Sequence, residues 1–310
     1  MTDMFLSQLN RNRSRTGCLV VAALAVVLLA GGLFLLFRST DDDRVETAPV
    51  SPETPAAETT DPEREQPVRD ETVPADDPGT ALLQQAREAK AAERYAAARD
   101  YAWQVLDESR DNRARTQAEE LLNEVNITLV MNPWPMPEKV DYTIQRGDTL
   151  GGLARRFNTT IELIQRGNRL SGSMIRQGDR LRILDAEFSV HVNKTRNDLV
   201  VYMNDRFFKR YDVGTGEYQR TPVGEFTITE RIAQPTWWRP DGRAVPYGTT
   251  NNVLGTHWLS IDVPGYGIHG TWEPDSIGYQ SSAGCVRLLN EDIEELYTLL
   301  PTGVPVVIED

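Results

Sequence analysis

The sequence predicts a multidomain chain: a single transmembrane helix, a short α-helical segment, a small α+β unit of βααβ order and a mainly β, sandwich-like domain at the C-terminal end. Three observations carry this. Residues 17–37 are 21 consecutive positions without a charge. Residues 80–128 repeat apolar side chains at helical spacing, and from residue 187 the apolar period switches to two, that of a strand.

The uncharged run, rich in Leu, Val and Ala, is long enough to cross a bilayer core as a helix rising ~1.5 Å per residue. Arg11, Arg13 and Arg15 precede it, and Asp41, Asp42 and Asp43 come after it. The positive-inside rule then makes residues 1–16 a cytoplasmic tail and places everything after Arg38 outside. The expected setting is a single-pass protein of the cytoplasmic membrane, N-terminus inside, with its folded part in the periplasm or cell-wall space. A cleaved signal peptide is the competing reading, but its apolar core is normally shorter and no small-x-small site follows Phe37. Cys18 precedes the apolar stretch, whereas a lipoprotein cysteine follows it, and so reads as a membrane-edge residue.

Residues 38–79 hold seven prolines and few apolar side chains, too few to offset the entropy of ordering them. They read as a disordered acidic linker with a reach on the order of 100 Å if extended. The net charge of −13 is mostly theirs: thirteen Asp or Glu and three Arg between residues 40 and 80 give −10, leaving −3 elsewhere. A near-neutral folded part has no nucleic-acid footprint.

In residues 80–128, Leu82, Leu83, Ala86 and Ala89, then Tyr95, Ala98, Ala102, Val105 and Leu106, then Leu121, Leu122 and Val125 mark two or three amphipathic helices. The pattern from Tyr95 to Leu106 resembles one tetratricopeptide helix, but a solenoid needs about three such units. A helical spacer, or a surface for self-association, is the expectation. The prolines at 133, 135 and 137 end the helical region.

Residues 140–185 read strand, helix, helix, strand. Tyr142 to Ile144 alternates into a turn at Gly147-Asp148. A first helix, capped by Asp148 or Thr149, carries Leu150, Leu153, Ala154 and Phe157 on one face. Thr159 and Glu162 fit a capping box for the second, and Leu181 to Leu184 closes the unit.

In residues 187–310, Phe188–Val192, Leu199–Met203 and Phe207–Val213 are strand-like, the last two joined by a hairpin at Asn204-Asp205. Gly224–Glu230, Trp258–Asp262 and Val304–Ile308 add strands, and Asn290 opens one helix with Glu291 and Asp292 in its first turn. Cys285 is the only cysteine beyond the apolar run. A lone thiol in an exported segment cannot pair within that segment, and it suits a nucleophile, which needs a base and oxyanion donors. His269 lies between Gly267 and Gly270, which are expected to leave room for a substrate; His257 and His191 open or occupy strands. On chemistry alone both His269 and His257 stand as bases. No CxxC or HxxxH spacing occurs, so neither a metal nor a cofactor is expected.

Two resemblances add to this. Residues Tyr142 to Leu150, Asn168 to Leu170 and Ile175 to Leu181 resemble a LysM domain, a family that binds the N-acetylglucosamine backbone of peptidoglycan or chitin. The resemblance implies a groove lined by Gly147, Asp148, Thr149, Leu150 and Asn168, although Gly147 also suits a turn, Thr149 a cap and Leu150 a core. Residues Thr221 to Ile228, Asn252 to Gly255, Gly267 to Thr271 and Ser282 to Leu288, with Asn290 and Asp292, resemble an L,D-transpeptidase catalytic domain. It implies that Cys285 attacks the third residue of a stem tetrapeptide, expels D-alanine and passes the acyl group from a thioester to an amine of another stem. A protein lysine or water as acceptor, or a non-catalytic wall-binding protein, are the alternatives. The resemblance makes His269 the proton carrier, Gly270 its orienting carbonyl, the Gly284 and Cys285 amides the oxyanion donors, and Arg287 a carboxylate holder or loop brace. Ser282, Ala283 and Tyr247 would line the substrate site, the last within a flap that includes Trp237, Trp238 and Arg239. The implied partners are peptidoglycan stem peptides and glycan strands.

Overall fold

The helical period after residue 79 becomes three helices: α1 (Gly79–Ala91), α2 (Tyr95–Glu108) and α3 (Asn112–Met131). The polar break at Asp111 is a cap, its side chain accepting from the Arg113 amide at 2.9 Å. The computed structural model describes residues 77–310. The expected cytoplasmic tail, the membrane helix at 17–37 and all but the end of the linker lie outside the described residues, and among the described residues no helix is long and apolar enough to cross a membrane.

The βααβ unit comprises β1 (Lys139–Thr143), α4 (Leu150–Arg156), α5 (Ile161–Gly167) and β2 (Arg180–Leu184), with β1 and β2 antiparallel. Ile144, Leu150, Leu153, Ile164, Leu181 and Ile183 form its own core. Thr149 caps α4. The cap of α5 is Thr160 and not Thr159: Thr160 Oγ1 accepts from the Leu163 amide at 2.9 Å, while Thr159 is buried with its hydroxyl unpartnered. Thr160 Oγ1 also donates to the Thr298 carbonyl, which ties the unit to the C-terminal domain.

The strands of that domain are β3 (Phe188–Asn193), β4 (Asp198–Met203), β5 (Arg206–Asp212), β6 (Thr215–Gly216), β7 (Gly224–Ala233), β8 (Trp237–Trp238), β9 (Ala244–Val245), β10 (His257–Ile261), β11 (Gly267–Thr271), β12 (Gln280–Ser282) and β13 (Val286–Leu289). Helix α6 (Asn290–Leu299) and β14 (Pro305–Glu309) complete the chain. The eight main strands are ordered β13-β11-β10-β7-β14-β3-β4-β5, with β6–β12 and β8–β9 as separate pairs, and β7 is shared: Gly224–Thr227 pair with β14 while Ile228–Ala233 pair with β10. Residues from both ends of the sheet and from α6 share one core, including Val190, Leu199, Leu259, Ile268, Val286 and Leu296. β7 thus passes from one group of strands to the other, and the core they share is that of the sandwich-like arrangement expected. Asn204 and Asp205 take positive φ of 50° and 60°, the conformation of a tight β4–β5 hairpin.

The helices are not a free spacer. Trp103 Nε1 donates to the Phe207 carbonyl at 2.9 Å, Asn126 Nδ2 to the Phe208 carbonyl at 2.8 Å, and the Arg210 amide to Asn123 Oδ1 at 3.0 Å. Arg206 pairs with Asp107 and Arg210 with Glu119. All of these groups meet β5, the sheet's edge strand. An open edge invites pairing with another chain, and here α2 and α3 cover it. The apolar face expected to serve self-association is therefore occupied within the chain.

Candidate active site

Parallel pairing of β11 with β13 sets His269 opposite Arg287. Side chains of paired residues share a face; Cys285 directly precedes β13, its thiol is beside the Gly267 amide two residues before His269, and the Arg287 charge acts on both groups. The predicted nucleophile, base and guanidinium thus come together at one edge of the sheet.

His269 is 3% exposed and lies against the Trp258 ring, with 5.4 Å between centroids and planes 21° apart. Its Nδ1 is 2.6 Å from the Gly270 carbonyl. A carbonyl only accepts, so Nδ1 carries the hydrogen and Nε2 is left to take a proton. Burial holds the imidazole down at about 4, with Arg287 acting the same way and the Gly270 and Leu254 carbonyls opposing. His257, the rival base, instead opens β10, with its ring 4.4 Å from Tyr297. His191 lies in β3 beside Tyr202.

The glycines around His269 do not leave room for substrate. A Cβ on Gly270 would stand 2.2 Å from Asn290 Oδ1, and one on Gly267 2.6 Å from the Trp258 ring. They are small because Asn290 and Trp258 fill the space, which locks His269 in place. This also diverts Asn290: α6 has no side-chain cap, and Asn290 Oδ1 accepts from the Thr256 amide at 3.0 Å.

Cys285 is a half-buried free thiol. Its Sγ contacts the Gly265 carbonyl at 3.6 Å. Burial pushes the thiol up, against the Gly267 amide and the Arg287 charge. Both reacting groups are therefore neutral in the resting site.

In the nucleophile loop, Gly284 takes φ of 139°, and a Cβ there would stand 2.7 Å from the Tyr266 ring. Its amide donates to Ser282 Oγ at 3.0 Å, and Ser282 Oγ donates to the Cys285 carbonyl at 2.6 Å. Two expectations change as a result. Ser282 is a buried loop brace and does not line a substrate surface, and the Gly284 amide is engaged, so it is not a free oxyanion donor. Ala283 is exposed at the loop tip.

Of the two roles expected of Arg287, the loop brace is visible in its backbone. Its backbone amide and carbonyl pair with Gly214, bracing the loop. Its guanidinium is 15% exposed, with Nη1 3.4 Å from Glu273 and Nε buried without a partner. The Tyr247 ring stands 6.4 Å from that of Trp272, the residue after β11. Trp238 is 70% exposed on the β8–β9 hairpin.

The expected glycan residues mostly make the fold. Gly147 turns at φ of 92° with open space around it. Asp148 accepts from the Gln145 amide and the Tyr142 hydroxyl; Thr149 is the cap and Leu150 is core. Asn168 braces α5 to β2 through Ile164 and both backbone groups of Arg182. Among the described residues no group of His, Cys, Asp and Glu is placed to hold a metal.

A family model described as the L,D-transpeptidase catalytic domain matches residues 187–308, and one described as the LysM domain matches residues 142–184. The protein YkuD of Bacillus licheniformis, named as an L,D-transpeptidase, is 34% identical over 175 residues, a match covering 54% of this chain and 97% of that protein. The chain belongs to the L,D-transpeptidase family. YqjB of Bacillus subtilis, named likewise, is 35% identical over 127 residues, covering 39% of this chain and 70% of that protein. The solved L,D-transpeptidase from Mycobacterium smegmatis is 17% identical with a TM-score of 0.35, covering 43% of this chain and 64% of that one, too slight a likeness to add to the sequence matches.

As a family member the chain is an enzyme, a cysteine-dependent acyltransferase with a LysM domain before its catalytic domain. Several parts of this L,D-transpeptidase's site escape a reading of the sequence. Trp258 is legible as a strand residue, but its stacking on His269 depends on the β10–β11 register. Tyr266, Glu273 and Trp272 act through loop geometry that no local pattern encodes.

Proposed function

We propose that this chain is a membrane-anchored peptidoglycan L,D-transpeptidase. The observation that supports the reading is the β11–β13 register, which sets His269 opposite Arg287, with Cys285 directly before β13 and the Arg287 charge acting on both. Cys285 Sγ attacks the carbonyl of the third residue of a stem tetrapeptide while His269 Nε2 takes the thiol proton. The oxyanion is received by the Cys285 amide, with the Gly284 amide available only after it leaves Ser282 Oγ. When the intermediate collapses, the C–N bond to the terminal D-alanine breaks, and His269 returns the proton to the leaving amine. An amine of a second stem then attacks the thioester, a C–N bond forms, and the thiol is restored.

Because the resting pair is neutral, the proton moves during attack and no thiolate need accumulate. The unpartnered Arg287 Nε and the long contact to Glu273 leave the guanidinium able to take a stem carboxylate. The Tyr247 flap shields the thioester from water, which favours an amine acceptor over hydrolysis. The LysM domain holds glycan, and the run at 17–37 with its linker tethers both domains to the cytoplasmic membrane, with the catalytic domain in the periplasm or cell-wall space.

Defined muropeptides test the acceptor. Mass spectrometry is expected to find dimers joined through third residues together with released D-alanine. Tripeptide without dimer would indicate hydrolysis, and acyl groups found only on protein lysines would indicate attachment. Fractionation tests the anchor: the full chain is expected with membranes, and a chain lacking residues 17–37 without them.

A further inference from the structure

A cleft of about 510 Å³ lies where the LysM domain meets the catalytic domain. One wall is the end of α5 and the loop after it, with Arg166, Arg169 and Leu170; the other is α6, with Glu294 and Tyr297, and the β-sheet residues Ala233 and His257. The two domains are fixed to each other here. Thr160 bonds the Thr298 carbonyl, and Arg231 reaches both Glu162, at 3.1 Å, and the Tyr297 carbonyl. The walls therefore hold their spacing without a ligand.

The lining has the chemistry of a carbohydrate site. Tyr297 is engaged within the protein, with the Arg231 guanidinium 4.1 Å over its ring and His257 4.4 Å away and tilted, while Gln165, Glu294 and the arginines offer donors and acceptors to hydroxyls and amides. The charge is not balanced. Glu162 is already paired with Arg231, whereas Arg166, Arg169 and Glu294 have no ion-pair partner among the described residues. Two unpaired guanidiniums against one carboxylate favour an anionic ligand, and a guanidinium meets a carboxylate in a fixed two-bond geometry.

We infer that this interdomain cleft binds a segment of glycan bearing a carboxylate, with Arg166 and Arg169 holding the anion and Gln165 and Glu294 meeting the sugar's hydroxyls and amides. The inference rests on the reading of the LysM domain as a glycan binder and moves the contact from that domain alone to its junction with the catalytic domain. Its position has a consequence for the enzyme. Ala233 is the last residue of β7 and His257 the first of β10, so they are the two ends of the segment that carries Tyr247. The Gln234 amide ties these ends together by donating to the Thr256 carbonyl at 2.8 Å. Glycan in the cleft touches the root of the flap, on the side of the sheet that packs α6, where Gly270 meets Asn290 and Ile293.

The test is titration of the full chain with a peptide-free muramyl-containing tetrasaccharide, whose lactyl carboxylates are free, and with the neutral N-acetylglucosamine tetramer. Arg166 and Arg169 are both exposed, and Arg169 takes φ of 54°, so Arg166→Ala with Arg169→Asn is expected to preserve the fold, checked by an unchanged melting temperature. The expected result is a loss of at least tenfold in affinity for the muramyl sugar in this variant, little change for the neutral one, and amide shifts at Ala233 and His257 on binding to the native chain. Equal affinity in both proteins with no shift at those two residues would overturn the cleft while leaving LysM glycan binding intact. Failure of the native chain to bind either sugar would overturn both.

Discussion

Acidification tests the site's electrostatics. His269 titrates near 6.5 in an unfolded chain and is held down to about 4 when folded, because burial penalises the imidazolium. The sign is direct: between pH 6.5 and 4 the unfolded chain binds a proton that the folded chain refuses. Stability from this residue is thus constant above 6.5 and falls as pH drops toward 4. A gap of about 2.5 pH units at ~1.36 kcal/mol each amounts to roughly 3 kcal/mol, a large part of the stability of an ordinary domain. Asp292 works the other way, since burial raises its carboxyl to about 6 and it gains stability from protonation as pH falls. His257, also held down by burial, adds to the His269 trend. The comparison that isolates His269 is therefore denaturant unfolding of the native chain and His269→Gln at pH 7, 5.5 and 4. The native chain is expected to lose roughly 3 kcal/mol more than the variant across that range. Parallel losses, or a ring titration of His269 by NMR with its midpoint near 6.5, would refute a buried neutral base.

Three other perturbations are set by the packing. Gly270→Ala drives a methyl against Asn290 Oδ1 and is expected to destabilise by ~1–3 kcal/mol and to cut turnover, read by melting and by muropeptide assay. Ser282→Ala removes the two bonds that shape the nucleophile loop, with an expected cost of about 1–2 kcal/mol and lower turnover; a rise in turnover would show that the freed Gly284 amide had been held back by Ser282. Deleting residues 77–131 bares β5 and is expected to give insoluble protein, seen by size-exclusion chromatography, whereas a soluble, active remainder would return the helices to the role of spacer.

Much of this architecture is legible in the sequence because periodicity reports local structure directly. The apolar spacing of Tyr95 to Leu106, the Asn204-Asp205 hairpin and the Gly147 turn each encode their conformation within a few residues. What stays hidden is which surface meets which. The amphipathic face of α2 and α3 is visible in the sequence, but β5 as its partner is not, because Trp103 and Phe207 are far apart in the chain. Likewise Gly267 and Gly270 announce that something small is needed, yet only the fold says that Trp258 and Asn290 take the space. Asn290 reads as a cap because it opens a helix, and its bond to Thr256 comes from a residue 34 positions earlier. The grouping of Cys285, His269 and Arg287 is reached through the family resemblance, and the parallel β11–β13 register supplies its physical reason.

The central claim is that Cys285 carries the acyl group. Intact-mass and peptide-mapping spectrometry of the full chain, quenched in acid soon after mixing with a tetrapeptide stem, reads this directly. The account predicts a thioester on Cys285 equal to the stem without its terminal D-alanine, absent from Cys285→Ala protein of unchanged melting temperature. A folded native chain that turns over stem peptide with no adduct on Cys285, or with the adduct on another residue, would contradict it.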